Sequence, residues 1–187
     1  MNCECLARSF FVEEFKEMSD NKKGLYVETK INNKNMYEFM LNHTYRSMLG
    51  IVGVLISVLA IVALVVYGKN YDITKKLMFI FVALLFTVVN PISLYFKSKR
   101  QVKMNDSFNH PLCYTFSEDG IEVRQGEQSL NINWDDVIKV ISSKNLVVIY
   151  ISAINAFIFP KEQIKENFEE FKKLITDNCK ARKVSVK

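Results

Sequence analysis

The chain has 187 residues, with 25 Lys/Arg against 20 Asp/Glu, a net charge of +5 and four cysteines. A surplus this small argues against a nucleic-acid surface. Cys3, Cys5, Cys113 and Cys179 form no CxxC pair, and the two histidines, His43 and His110, complete no ligand cluster, so neither a metal site nor a disulfide framework is expected.

Residues 1–23 read as a weakly structured extension, with a helical stretch around Phe10 to Met18 and no continuous apolar core of a signal peptide. Gly24 to Ile31 alternates apolar and polar residues, the period of a half-buried strand. Asn35 followed by Glu38 fits a helix N-cap with its capping box, and Met36, Phe39, Met40 and Thr44 share one face. Residues 24–47 are therefore expected to hold a strand and a short interfacial helix.

Two uninterrupted apolar runs follow, Met48 to Tyr67 and Leu77 to Phe96, separated by the connector 68–76. Each has about the 20 residues that an α-helix needs to cross a hydrocarbon core of roughly 30 Å. Gly50, Gly53, Ser57 and Ala60 lie on one face of the first run; Ala83, Thr87 and Asn90 lie on one face of the second. Small and hydroxyl side chains let helices approach closely, so these seven are the candidate helix-packing residues, either within the hairpin or in a homodimer. Asn90 is the polar group inside the runs, and Pro91 after it is expected to kink the helix.

A basic linker, 97–111, carries Lys97, Lys99, Arg100 and Lys103. With Lys34 and Arg46 they give six cations beside the outer ends of the spans, against Lys69, Lys75 and Lys76 in the connector. That bias favours both termini on the cytoplasmic side of a bacterial inner membrane. Lys97, Lys99, Arg100 and Lys103, together with Lys180, Arg182 and Lys183 of the tail 179–187, are the candidate lipid-surface residues.

From Leu112 to Phe159 short apolar alternations are broken by turn residues at Glu118-Asp119-Gly120, Gln125-Gly126-Glu127 and Ser142-Ser143-Lys144-Asn145, which reads as about six strands. Ile164, Phe168, Phe171, Leu174 and Ile175 then recur at helical spacing after Pro160. Trp134-Asp135-Asp136-Val137 admits a ligand-stacking reading, but a core tryptophan ending a strand before a capped turn accounts for it. His43 admits a headgroup or proton-sensing role or that of an ordinary interfacial residue. The sequence holds no nucleophile motif and no phosphate loop, so neither enzymatic activity nor a cofactor is expected.

Three stretches carry a resemblance to a family: Tyr114 to Val123, Ile132 to Val140 and Ala156 to Lys161. They are similar to the C-terminal domain of YcxB-like bacterial membrane proteins, and the order of strand, short helix, two spans, β-rich domain and terminal helix is similar too. The resemblance implies a membrane α+β fold: a two-helix transmembrane hairpin with a cytoplasmic β-rich, pleckstrin-homology-like domain, residues 112–178, capped by an amphipathic helix. It implies no catalytic residue. The expected role is a non-enzymatic interaction module that recruits or regulates an unknown protein partner at the membrane. The alternatives are a protein protecting against a membrane-acting toxin or antimicrobial, and a sensor of anionic lipid. The strand at 24–31 cannot be stable alone and is expected to pair with the C-terminal sheet, making the hairpin an insertion.

Overall fold

The computed structural model describes residues 24–105, 108, 110–126, 128–153, 155–180 and 184–186. The extension 1–23, with the helical stretch expected in it, lies outside the described residues. The chain divides into two units: one ends at Ile31 and resumes at residue 106, and the other is Asn32–Asn105.

The first unit is α+β. Strand β1 (Leu25–Thr29) pairs antiparallel with β2 (Leu112–Phe116), in register from Leu25 with Phe116 to Thr29 with Leu112. A meander through β3 (Gly120–Gln125) and β4 (Gln128–Asn133) completes a four-stranded antiparallel sheet in the order β1-β2-β3-β4. Thus two strands lying next to each other are separated in the chain by the whole second unit, as the insertion reading expects. A second sheet contains β5 (Lys139–Ser142), β6 (Leu146–Tyr150) and β7 (Ala156–Pro160), joined as antiparallel hairpins.

The period-2 pattern works because alternate residues enter one core. Leu25, Val27, Tyr114, Phe116, Ile121, Val123 and Ile132 are buried from the first sheet, with Val140, Val147, Ile149 and Phe159 from the second. The terminal helix α5 (Phe168–Asn178) lays Phe171 and Ile175 onto this core. The Phe171 ring meets Phe116 edge-on at 5.0 Å and Phe159 at 5.3 Å. At Gly126, φ of +58° gives the β3–β4 turn a left-handed residue that a side chain disfavours. Gly120 is needed for a different reason, since a Cβ there would stand 2.4 Å from the Ile132 carbonyl oxygen.

Two expectations for this unit need correction. Pro160 closes β7 but does not open a helix, because α5 starts only at Phe168; residues 161–167 form turns in which Ile164 is nonetheless buried. The tail read as a basic lipid-surface segment also carries structure. Cys179 is buried, and β8 (Val184–Ser185) pairs parallel with β5, because Val184 and Val186 bring apolar surface back to the core.

The second unit is helical. Helix α1 (Asn33–Tyr45) starts one turn earlier than the Asn35 cap implies: Asn32 is the N-cap, its side chain accepting the Asn35 N–H at 2.9 Å. After a break at Arg46 and Ser47, α2 runs over Met48–Tyr67, with the Ser47 hydroxyl accepting the Gly50 N–H at 3.1 Å. A 3-10 turn (Gly68–Asn70) leads to α3 (Ile73–Leu84), a π-helical turn (Leu85–Val89) and α4 (Asn90–Met104). The last three are one continuous helix of 32 residues, Ile73–Met104. It therefore begins before Leu77 and passes through the positions read as a linker. Lys75, Lys76 and the basic run at 97–103 interrupt the hydropathy but are good helix formers.

Candidate functional site

Helices α2 and α3 pack through the small residues of α2. Gly50, Gly53, Ser57 and Ala60 are its buried residues, and Ala83 is the buried residue of α3. Their roles differ. A Cβ on Gly53 would lie 2.1 Å from Cε1 of Phe86, so the bare glycine is the seat for that ring. Gly50 instead faces the end of α1, where a Cβ would meet the Thr44 carbonyl oxygen at 1.9 Å. The Ser57 hydroxyl donates across the pair to the Val82 carbonyl at 3.4 Å.

The second face is used only in part. Thr87 is exposed and donates to the Ala83 carbonyl of its own helix at 2.6 Å, so it does not join the helix pair. Asn90 is half-buried and shapes the helix through its backbone: its N–H bonds to the Leu85 carbonyl, five residues back. The next residue, Pro91, has no N–H to offer the Phe86 carbonyl. The Tyr45 hydroxyl donates to that carbonyl instead, at 2.5 Å. Pro91 is thus expressed as a π turn, and α1 clamps it through Tyr45. Sequence spacing pointed to Asn90, whereas Tyr45 and Phe86 carry no signal that separates them from other aromatics in the unit.

Most large apolar side chains of α2 and α3 remain exposed, among them Leu49, Leu55, Leu59 and Val65 on α2 and Leu77 and Phe81 on α3. Aromatic rings gather toward each end of the long helix. Tyr71 stacks on Phe79 at 5.4 Å near the connector. At the other end Tyr95 meets Tyr37 edge-on at 5.7 Å and Phe96 is exposed. From Ile73 to Tyr95 the helix rises about 33 Å. The two helices Met48–Asn70 and Ile73–Met104 are long and apolar enough to cross a membrane.

Beyond Phe96 come the basic residues. Lys97, Lys99, Arg100 and Lys103 are all exposed on α4, while Leu94 and Ser98 are its buried residues. The other three cations assigned to a lipid surface are elsewhere in the chain. Lys180 stands 4.0 Å from Asp135 in an exposed ion pair, and Arg182 and Lys183 lie outside the described residues.

Within the α+β unit, Trp134 is buried and its Nε1–H donates to the Ser117 carbonyl at 2.9 Å. Asn133 and Asp136 form a reciprocal capping box around the turn 134–136. That is the core-and-cap arrangement, with Asp135 and Asp136 both exposed. The Tyr26 hydroxyl donates to Cys113 Sγ at 3.1 Å. Burial pushes the Cys113 thiol above its ordinary pKa, against the lowering effect of the Tyr26 hydrogen bond, and burial raises Tyr26 as well. The thiol is therefore held as a weak nucleophile. Among the described residues no group of three or more His, Cys, Asp or Glu is placed to hold a metal ion.

The chain is an α+β protein into which a pair of membrane-length apolar helices is inserted between two paired strands. Its similarity is to YcxB-like proteins: residues 116–175 match the family model described as YcxB-like protein, from the last residue of β2 into α5. A Bacillus subtilis protein named "Uncharacterized protein YcxB" is 27% identical over 127 residues, which is 66% of this chain and 69% of the relative. No solved structure matches.

Proposed function

We propose that the chain is a non-enzymatic integral membrane protein whose hairpin anchors a cytoplasmic, pleckstrin-homology-like module that recruits or regulates a protein partner in a bacterial inner membrane. The exposed apolar faces of α2 and α3, with aromatic rings gathered toward each end of the long helix, support the anchor. Water tolerates such a surface poorly, and lipid accommodates it without further partners. The small residues of α2 support packing within the helical unit, Gly50 against the end of α1 and Gly53 against Phe86. The pleckstrin-homology-like reading rests on a four-stranded antiparallel sheet, a second sheet of consecutive hairpins and a terminal helix closing the core.

The observation that carries the recruiting role is the edge strand β4. It is the outer strand of its sheet, five of its six residues are exposed, and Gln128-Ser129-Leu130-Asn131-Ile132-Asn133 has neither charge nor proline. Natural edge strands are commonly guarded by such residues, and an unguarded edge takes up an extended segment of a partner. Leu130, 53% exposed, supplies an apolar contact beside the free ladder.

The test is photocrosslinking of the full chain in native membranes from position 130, with position 169 on the terminal helix as comparison. A discrete adduct from 130 that disappears in Asn131→Pro supports recruitment through this edge. Absence of any adduct from β4, with the chain folded and membrane-bound, refutes it.

A further inference from the structure

The four cations at the end of α4 occupy an unusual place. At 100° per residue, Lys99, Lys103, Arg100 and Lys97 span an arc of about 160°, on the side of the helix away from buried Leu94 and Ser98. Phe96, 64% exposed, falls within that same arc one turn earlier. The sequence Asn90–Met104 has no acidic residue, and among the described residues none of the four cations has a carboxylate within ion-pair distance. Four exposed positive charges within seven residues repel one another, and no protein group described here offsets that repulsion.

The depth is right for lipid headgroups. The helix continues unbroken past Phe96 to Met104, a further rise of about 12 Å. The polar layer on each side of a bilayer is roughly 5 to 8 Å thick. With Phe96 and Tyr95 at the hydrocarbon boundary, the Lys and Arg stems reach phosphate level from either side of that layer. We propose that this face of α4 is a binding site for anionic phospholipid headgroups of the leaflet in which the helix ends. The site rests on the membrane reading above and goes beyond it in naming a ligand: a diacyl lipid with a net negative phosphate, recognised by charge and by depth together.

The test uses the full chain in nanodiscs of mixed phosphatidylglycerol and phosphatidylcholine, released gently for native mass spectrometry, so that retained lipids of each class are counted. Each cation near the surface contributes about a fivefold preference at low salt, several hundredfold for four as an upper limit. The chain should retain phosphatidylglycerol preferentially, and the preference should shrink as salt is raised. Replacing Lys97, Lys99, Arg100 and Lys103 together by glutamine, a comparable helix former, should remove it. Replacing Lys144, Lys165, Lys172 and Lys173 by glutamine should leave it in place. Equal retention of the two lipids, equal loss in both variants, or displacement of the lipid by inorganic phosphate overturns the proposal. Resistance of the chain to alkaline extraction is measured in parallel. If it is extracted, the membrane reading itself falls; if it stays inserted without a lipid preference, only the headgroup site falls.

Discussion

Replacing Gly53 by alanine puts one methyl group where the Phe86 ring now sits. The new Cβ would lie 2.1 Å from the ring, against an ordinary contact of at least 3.4 Å, so the ring must retreat by about 1.3 Å. Overpacking of this kind costs typically 1 to 3 kcal/mol. The obstruction is a side chain, so shortening Phe86 to leucine removes it. The Gly53→Ala/Phe86→Leu pair should be more stable than the sum of the single effects by about 1 kcal/mol or more. Gly50→Ala provides the contrast. Its Cβ meets the Thr44 backbone oxygen at 1.9 Å, so it should cost at least as much and gain nothing from Phe86→Leu. The assay is unfolding in detergent micelles followed by helix content, with all four variants of each cycle. Strict additivity of Gly53 and Phe86, or rescue of Gly50→Ala by Phe86→Leu, would refute this packing.

Tyr45→Phe leaves the Phe86 carbonyl without its hydroxyl donor and should cost about 0.6 to 2 kcal/mol, read in the same unfolding assay. Trp134→Phe removes the Nε1–H bond to Ser117 and leaves a smaller ring in the core; a loss of about 1 to 3 kcal/mol is expected, with Asp135→Ala near neutral because that residue is exposed. Gly126→Ala should cost about 1 kcal/mol through its left-handed backbone, without altering the sheets by circular dichroism. Alkaline pH should destabilise the α+β unit. Tyr26, Tyr114 and Cys113 are raised by burial, so their neutral forms favour the fold fully below their unfolded values and ever less as pH climbs through about 8.5 to 10. Denaturant midpoints that stay constant across that range would contradict it, and Cys113 should resist alkylation until the unit opens.

Much of the α+β unit is legible in the sequence because its strands bury one face. Tyr114 and Phe116, or Ile121 and Val123, mark their strands by alternation alone. The limits of the helices are less legible. Lys75, Lys76 and the cations within 97–103 end an apolar run, yet the hydrogen-bonded helix continues through them to Met104, since its backbone needs no apolar side chains. The cap at Asn32 and the late start of α5 depend on local backbone geometry that equivalent residues nearby do not reveal. β8 is invisible for another reason: two residues carry no period, and a parallel partner distant in the chain supplies their place.

The candidate positions divide along the same line. Gly50, Gly53, Ser57 and Ala60 are recognisable because small residues on one helical face matter only where another backbone comes close. Thr87 satisfies that spacing and still turns its hydroxyl to its own helix. The Tyr45–Phe86 bond, which holds the π turn, joins residues 41 apart and follows from the missing N–H of Pro91. A free carbonyl is predictable from proline; its donor is not.

The most direct test of the account is topology. Single cysteines placed at Asn70 in the connector and at Glu162 before α5, in a chain with Cys3, Cys5, Cys113 and Cys179 replaced, are exposed to a membrane-impermeant maleimide in intact bacterial cells with a permeable outer surface. A membrane-spanning hairpin should give labelling at 70 from outside and labelling at 162 only after the inner membrane is opened. Equal labelling of both positions from outside, or of neither until the membrane is opened, would contradict a membrane-spanning hairpin with its folded module on the cytoplasmic side.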